Sequence, residues 1–253
     1  MRRYSSSVIP YSSIIPAVLA SLLLFSGCTR SNKTARVDYA SKSAAIVSSE
    51  KAGADPLMTT CPVGMVLIPT GPMLYGPTEE RNSTAASKEA PQRISMKAFC
   101  IDKYEFPNQP GEAPMRSLNW AESKELCVNK GKRLCSEYEF EKACRGPSAT
   151  LFTYGDGFAE GACAKADQDY GIGQFTNCIS GFGVHDMSGG VFEWTSSGPE
   201  GNDGERFVRG GMSPDYSATT ARCTYRGRFK ATHFSREIGF RCCTSTLKEE
   251  LQK

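Results

Sequence analysis

Histidine is nearly missing from this 253-residue sequence, with His185 and His233 as the only two. They lie far apart, and no two cysteines show the C-x-x-C spacing, so the paired ligands of a structural zinc site are lacking. An excess of one charge is missing as well, because 30 basic residues face 27 acidic ones. That balance excludes the basic footprint expected of a nucleic-acid-binding protein. Long apolar runs are also absent. The apolar stretch from Ile14 to Phe25 is broken by Pro16 and Ser21, and it falls short of the about 20 residues needed to cross the hydrocarbon layer.

What stands at the start is a signal-like pattern: Arg2 and Arg3, the apolar stretch, then the small residues Ser26 and Gly27 before Cys28. Leu24-Phe25-Ser26-Gly27-Cys28 resembles the bacterial lipobox, in which the cysteine sulfur takes a diacylglycerol. The alternative is an incidental cysteine in an ordinary signal peptide. On the lipobox reading, residues 1–27 are removed and the chain is held to a membrane through lipid on Cys28, where two or three acyl chains anchor durably. Thr29 rather than Asp after the lipid site resembles sorting to the outer membrane. Of the 30 basic residues, Arg2 and Arg3 leave with the signal, so 28 remain against 27 acidic ones.

Residues 28–60 are rich in Ser, Ala and Lys and show no sustained period of 2 or 3.6. They cannot bury enough surface to offset ordering entropy, which makes this segment a stalk. A short helix over residues 42–51 is an option within it. The domain is expected over 61–245, with a polar tail at 246–253, and about 190 residues suffice for one real core.

The cysteine count is 11, an odd number. Setting Cys28 aside as the lipid site leaves ten, enough for five disulfides, which suits an oxidising compartment. Short strands are expected at Met65 to Pro69 and Met96 to Ile101. Asn119 with Glu122 opens a first helix that stops near Gly131, and Ser136 with Glu139 opens a second that runs to about Cys144. Residues 146–190 are glycine-rich and read as long loops. Strands return at Val191 to Thr195, Phe207 to Arg209 and Ile238 to Cys243. The class is α+β, irregular and loop-rich, with disulfides holding the loops.

Several blocks match one family in order: Gly64 to Pro69, Phe99 to Glu105, Gly131 to Leu134, Glu141 to Gly146, Phe182 to Gly189, Glu193-Trp194-Thr195, Arg209-Gly210-Gly211 and Gly239 to Cys242. The domain resembles the formylglycine-generating enzymes, or sulfatase-modifying factors. The resemblance implies a C-type-lectin-like fold and pairs Cys127 with Cys242 and Cys144 with Cys223. Nearness in the chain suggests Cys163 with Cys178. That leaves Cys61 with Cys100 and Cys135 with Cys243 among pairings that stay open. Adjacent Cys242 and Cys243 either bond different partners from opposite strand faces or form a vicinal disulfide.

The resemblance also implies a Cu(I) site made by two cysteines after the Gly-Gly pair, since soft thiolates suit Cu(I). Here those positions fall on Asp215 and Thr220, so copper is not supported. Met212, with Ser213 one residue later, stands where the family has a pocket serine. A second branch of the fold holds non-haem iron with clustered histidines, which two histidines cannot build. The family's calcium stretch corresponds to Gly190, Val191 and Glu193. Gly190 stands for an asparagine, which removes an oxygen ligand and leaves at most a weakened calcium site; Glu193 alternatively only hydrogen-bonds the loop backbone.

Eight basic residues lie between Arg206 and Arg241. They are either an anion-attracting patch or structural. The reading is a lipid-anchored envelope module without catalysis that binds a protein or glycan through loops around Asp215 to Arg228. The rivals are a copper-dependent oxidase making formylglycine on exported sulfatases and a purely structural envelope lipoprotein.

Overall fold

Two capping boxes produce the two helices. Asn119 and Ser136 each accept from the amide three residues on, and Glu122 and Glu139 reach back to the cap amides. This satisfies backbone donors that a helix start leaves without partners. The computed structural model describes residues 60–76, 91–165, 168–211 and 218–246. The signal stretch with Cys28, the stalk before residue 60, the helix option at 42–51, Met212, Ser213, Asp215 and the tail from 247 lie outside the described residues.

In chain order the elements are β1 (Met65–Ile68), β2 (Gly71–Tyr75), β3 (Gln92–Met96), β4 (Phe99–Asp102), α1 (Trp120–Val128), β5 (Arg133–Leu134), α2 (Glu137–Arg145), β6 (Phe192–Trp194), β7 (Glu205–Arg209), β8 (Gly227–Lys230), β9 (Ile238–Phe240) and β10 (Cys242–Ser245). They form sheets ordered β1-β4-β10-β5 and β8-β7-β6-β9 and a hairpin β2-β3. All pairings are antiparallel except β6 with β9, which is parallel.

Two expected strands are each split. Met96 to Ile101 is not one strand: Met96 ends β3 opposite Gly71, whereas Phe99 opens β4 opposite Ile68 in another sheet. Between them the Ala98 amide donates to Thr70 Oγ1 at 3.0 Å. Likewise, Arg241 separates β9 from β10, which join different sheets. Helix α1 stops at Val128, because Asn129 caps it and Gly131 turns the chain with φ +69°. Among the described residues, 146–190 hold only isolated bridges, Phe152 with Gly155 and Ile179 with His185.

One core packs Ile68, Phe99, Ile101, Phe140, Ala143, Val184 and Met187. A second gathers Phe106, Leu134, Phe192, Trp194, Val208, Ile238 and Phe240. Helix α2 runs through the first and is buried almost all round despite its sequence EYEFEKACR. Its charges are therefore paired internally. Arg209 donates to Glu137 Oε2 and Glu141 Oε2, both at 2.9 Å, and Lys142 Nζ donates to the Pro69 carbonyl at 2.6 Å.

Five disulfides tie these layers: Cys61 with Cys100, Cys127 with Cys242, Cys135 with Cys243, Cys144 with Cys223, and Cys163 with Cys178. Cys242 lies opposite Leu134 and Cys243 opposite Arg133 in the β10 to β5 ladder. Successive strand side chains point to opposite faces, so the adjacent cysteines reach different partners and form no vicinal bond. Among the described residues no helix is long and apolar enough to cross a membrane.

Candidate functional site

The chain after β7 is where thiol chemistry would sit. Gly210 adopts φ +79°, and a Cβ there would lie 2.5 Å from the Phe140 ring. A Cβ on Gly211 would meet the Phe192 backbone. The Gly-Gly pair is therefore demanded by packing between α2 and β6. Asp215 lies outside the described residues, and Thr220 sits half-buried in a turn. Cys223, fully buried, is bonded to Cys144. Ser188 Oγ lies 3.7 Å from Cys144 Sγ and 3.9 Å from Cys223 Sγ. Every cysteine of the described residues is in a disulfide, and a disulfide supplies no thiolate ligand. The residues do not fit Cu(I).

Glu193, from β6, meets Arg241. Arg241 donates from Nε to Glu193 Oε2 at 2.7 Å and from Nη2 to Oε1 at 2.6 Å, with both side chains 1% exposed. Both carboxylate oxygens are engaged by the guanidinium. The Gly190 amide donates to the Ala164 carbonyl, and the space beside its Cα is filled by the Tyr170 hydroxyl. The Val191 amide points to the same hydroxyl at 3.4 Å. At the positions expected for calcium, a guanidinium thus supplies the positive charge beside Glu193, and the Tyr170 phenol fills the space beside Gly190.

Around this pair lies a buried polar hub. Tyr170 donates to Glu105 Oε1 at 2.7 Å, while Glu105 Oε2 is buried without a partner. Asp186 sits at φ +57°, a left-handed conformation that Asp tolerates better than most residues. Its Oδ2 accepts from the Gly173 amide at 2.8 Å, and its Oδ1 has no partner. Burial, joined by the negative charges of Glu193 and Asp186, pushes Glu105 well above the usual carboxylate range. Burial raises Asp186 to about 6, against the opposing pull of the Gly173 amide and Arg241. Burial also raises Asp102, against a close ion pair with Lys132. Burial alone would lower Arg241, but Glu193, Glu105 and Asp186 together outweigh it and raise it.

Tyr170 and Arg241 were not singled out as hub residues by sequence reasoning. Glu105 and Asp186 carry a signal, since both lie within family blocks, whereas Tyr170 lies in a loop without any. The histidines stay apart in role. His185 lies tilted against the Tyr104 ring at 4.8 Å and is lowered by burial and by Lys103, and His233 stacks on Phe229 at 4.9 Å. Among the described residues no three metal-ligating side chains come together.

The structure also sorts the eight basic residues. Arg209 and Arg241 are buried in ion pairs, Arg206 lies over the Trp120 ring and Arg226 over the Phe207 ring, each at 4.4 Å. Arg236 stands 3.4 Å from Asp169, and Arg222 is half-buried. Arg228 and Lys230 project from β8 into solvent.

The family described as Sulfatase-modifying factor enzyme 1-like domain matches residues 107–246. Inactive C-alpha-formylglycine-generating enzyme 2 of Mus musculus is 31% identical over 163 residues, 55% of this chain and 52% of the mouse protein. The Bos taurus protein of the same name is 29% identical over 152 residues, 53% of this chain and 50% of its own length. The chain thus spans about half the length of the curated relatives it matches. Among solved structures, PvdO from Pseudomonas aeruginosa superposes with a TM-score of 0.57 at 20% identity, covering 72% of this chain and 94% of PvdO. That likeness concerns the fold, which is α+β and C-type-lectin-like. Five disulfides suit an extracytoplasmic, oxidising compartment.

Proposed function

We propose that this chain, which belongs to the sulfatase-modifying factor enzyme 1-like domain family, is a non-catalytic envelope module held to a membrane by lipid on Cys28. It presents the surface after Gly210-Gly211 to an envelope partner. The observation that carries the reading is the state of the cysteines: every one among the described residues is spent in a disulfide. Relatives whose names call them inactive support it. A rigid, cross-linked fold without a thiolate pair suits holding a surface in place rather than activating oxygen.

The test is maleimide labelling of the purified chain, with disulfide mapping and Cu(I) titration. The ten domain cysteines are expected to be silent before reduction and labelled after it, with no Cu(I) bound. Two reactive thiols that take up Cu(I) would establish the oxidase reading instead. For the anchor, Cys28→Ser is expected to abolish lipid labelling and to move the protein out of the membrane fraction. Unchanged labelling would remove the anchor from the proposal.

A further inference from the structure

Strand β8 is one border of the sheet β8-β7-β6-β9, and among the described residues no strand pairs with its outer side. A border strand presents backbone donors and acceptors that an added strand can complete. Along β8, Arg228 and Lys230 are exposed while Gly227 and Phe229 are half-buried, the alternation of a strand with one wet face. A groove of about 600 Å³ lies here, lined by Arg228, Phe229 and Lys230 together with His233 and Phe234. Successive strand side chains point to opposite faces. Glu205 of β7 also lines it, beside three successive residues of β8, so the groove lies at the β8 border of the sheet.

The groove has an apolar and a cationic part. Phe234 is 66% exposed, unusual for so large an apolar side chain, and the stacked pair of Phe229 and His233 lies beside it. Arg228 is only loosely paired, 3.5 Å from Glu205, and Lys230 has no ion pair among the described residues.

We propose that the β8 edge docks an extended segment of a partner protein in which acidic residues alternate with apolar ones. This rests on the binding-module reading and names its partner chemistry. A strand laid along β8 places every second side chain on one face. Carboxylates at two such positions meet Arg228 and Lys230, and the residue between them turns toward Phe229 and Phe234. The same two cations argue against self-pairing, because a second copy of β8 would set like charges opposite one another. Edge cations therefore reject a second copy of this chain and admit an acidic strand.

The experiment is fluorescence anisotropy of the oxidised full-length chain with a labelled synthetic peptide alternating glutamate and valine. Three competitors are compared: the same composition with the glutamates grouped, the alternating peptide N-methylated at every second amide, and heparin as an anionic polysaccharide. The alternating peptide is expected to bind at least about tenfold more tightly than the grouped and N-methylated ones, a difference of about 1.4 kcal/mol. Reversing the cations with Arg228→Glu and Lys230→Glu should lose that binding, and Phe234→Ala should weaken it, with the near-ultraviolet circular dichroism unchanged. Equal binding of all peptides and heparin would mean charge attraction alone and would overturn the proposal. So would no binding, or binding indifferent to charge reversal. None of these touches the thiol and copper result, so failure of the edge and failure of the non-catalytic reading are separate outcomes.

Discussion

Arg241 and Glu193 form a two-point ion pair at 2.6 and 2.7 Å, with both side chains 1% exposed. The pair joins β6 to the residue that divides β9 from β10. Asp102, Glu105 and Asp186 also feel the Arg241 charge. A buried pair of this kind gives modest net stability when whole, yet breaking it leaves one charge without compensation.

Arg241→Met is accordingly expected to destabilise the fold by about 3 to 5 kcal/mol, because it strands Glu193 and removes the cation that three other carboxyls share. The double variant Arg241→Met with Glu193→Leu should lose less than the sum of the two single changes. Urea unfolding followed by fluorescence checks this, and strict additivity would show that the two residues do not act as a unit.

Stability should depend on pH through Asp186. Its folded value, about 6, lies above its ordinary value of 3.8. A raised value means the folded state holds the proton more tightly than the unfolded state. The stabilisation is therefore full below the ordinary value and lost as pH rises through about 6. Glu105 shifts in the same direction. The urea midpoint is expected to fall between about pH 4 and pH 7, with Asp186→Asn flattening the slope. An identical slope in wild type and variant would remove Asp186 as the source.

Restoring the family asparagine should not by itself create a calcium site. A side chain at Gly190 would collide with the Tyr170 hydroxyl, which holds Glu105. Gly190→Asn is expected to destabilise the protein by roughly 1 to 3 kcal/mol through overpacking, without calcium binding by isothermal calorimetry. Tyr170→Ala should itself destabilise by opening a cavity and freeing Glu105, and the double variant Gly190→Asn with Tyr170→Ala should lose less than the sum of the two single changes. Calcium binding by the single variant would show that Tyr170 does not fill the site.

The disulfides should differ in weight. Cys127 and Cys242 are 115 residues apart, whereas Cys163 and Cys178 are 15 apart. In the chain-entropy description, removing the long-range pair costs about 4 to 5 kcal/mol and removing the short one about 3. Alanine pairs at each position, compared by thermal unfolding, are expected to rank in that order. The reverse order would place the stabilisation in native contacts rather than in the unfolded chain.

Legibility followed range. Both helices could be read because a capping box is complete within four residues, as at Asn119 to Glu122. Strands β2, β5 and β8 were not expected. β5 is only Arg133 and Leu134, and it exists because Cys242 and Cys243 lie opposite it. The charged sequence of α2 gave no sign of its burial, since its partners Arg209 and Pro69 lie far along the chain.

The sequence by itself determined the cysteine parity, the helix starts, the loop-rich middle and the family blocks, all of which depend on composition or on neighbours a few residues apart. Only the tertiary structure decided that Arg241 pairs with Glu193, that Tyr170 fills the space at Gly190, and that two of eight basic residues reach solvent along a strand edge. Each of these depends on which distant residues share a buried volume, and a low-dielectric interior makes that choice decisive by charging heavily for any group left unpaired.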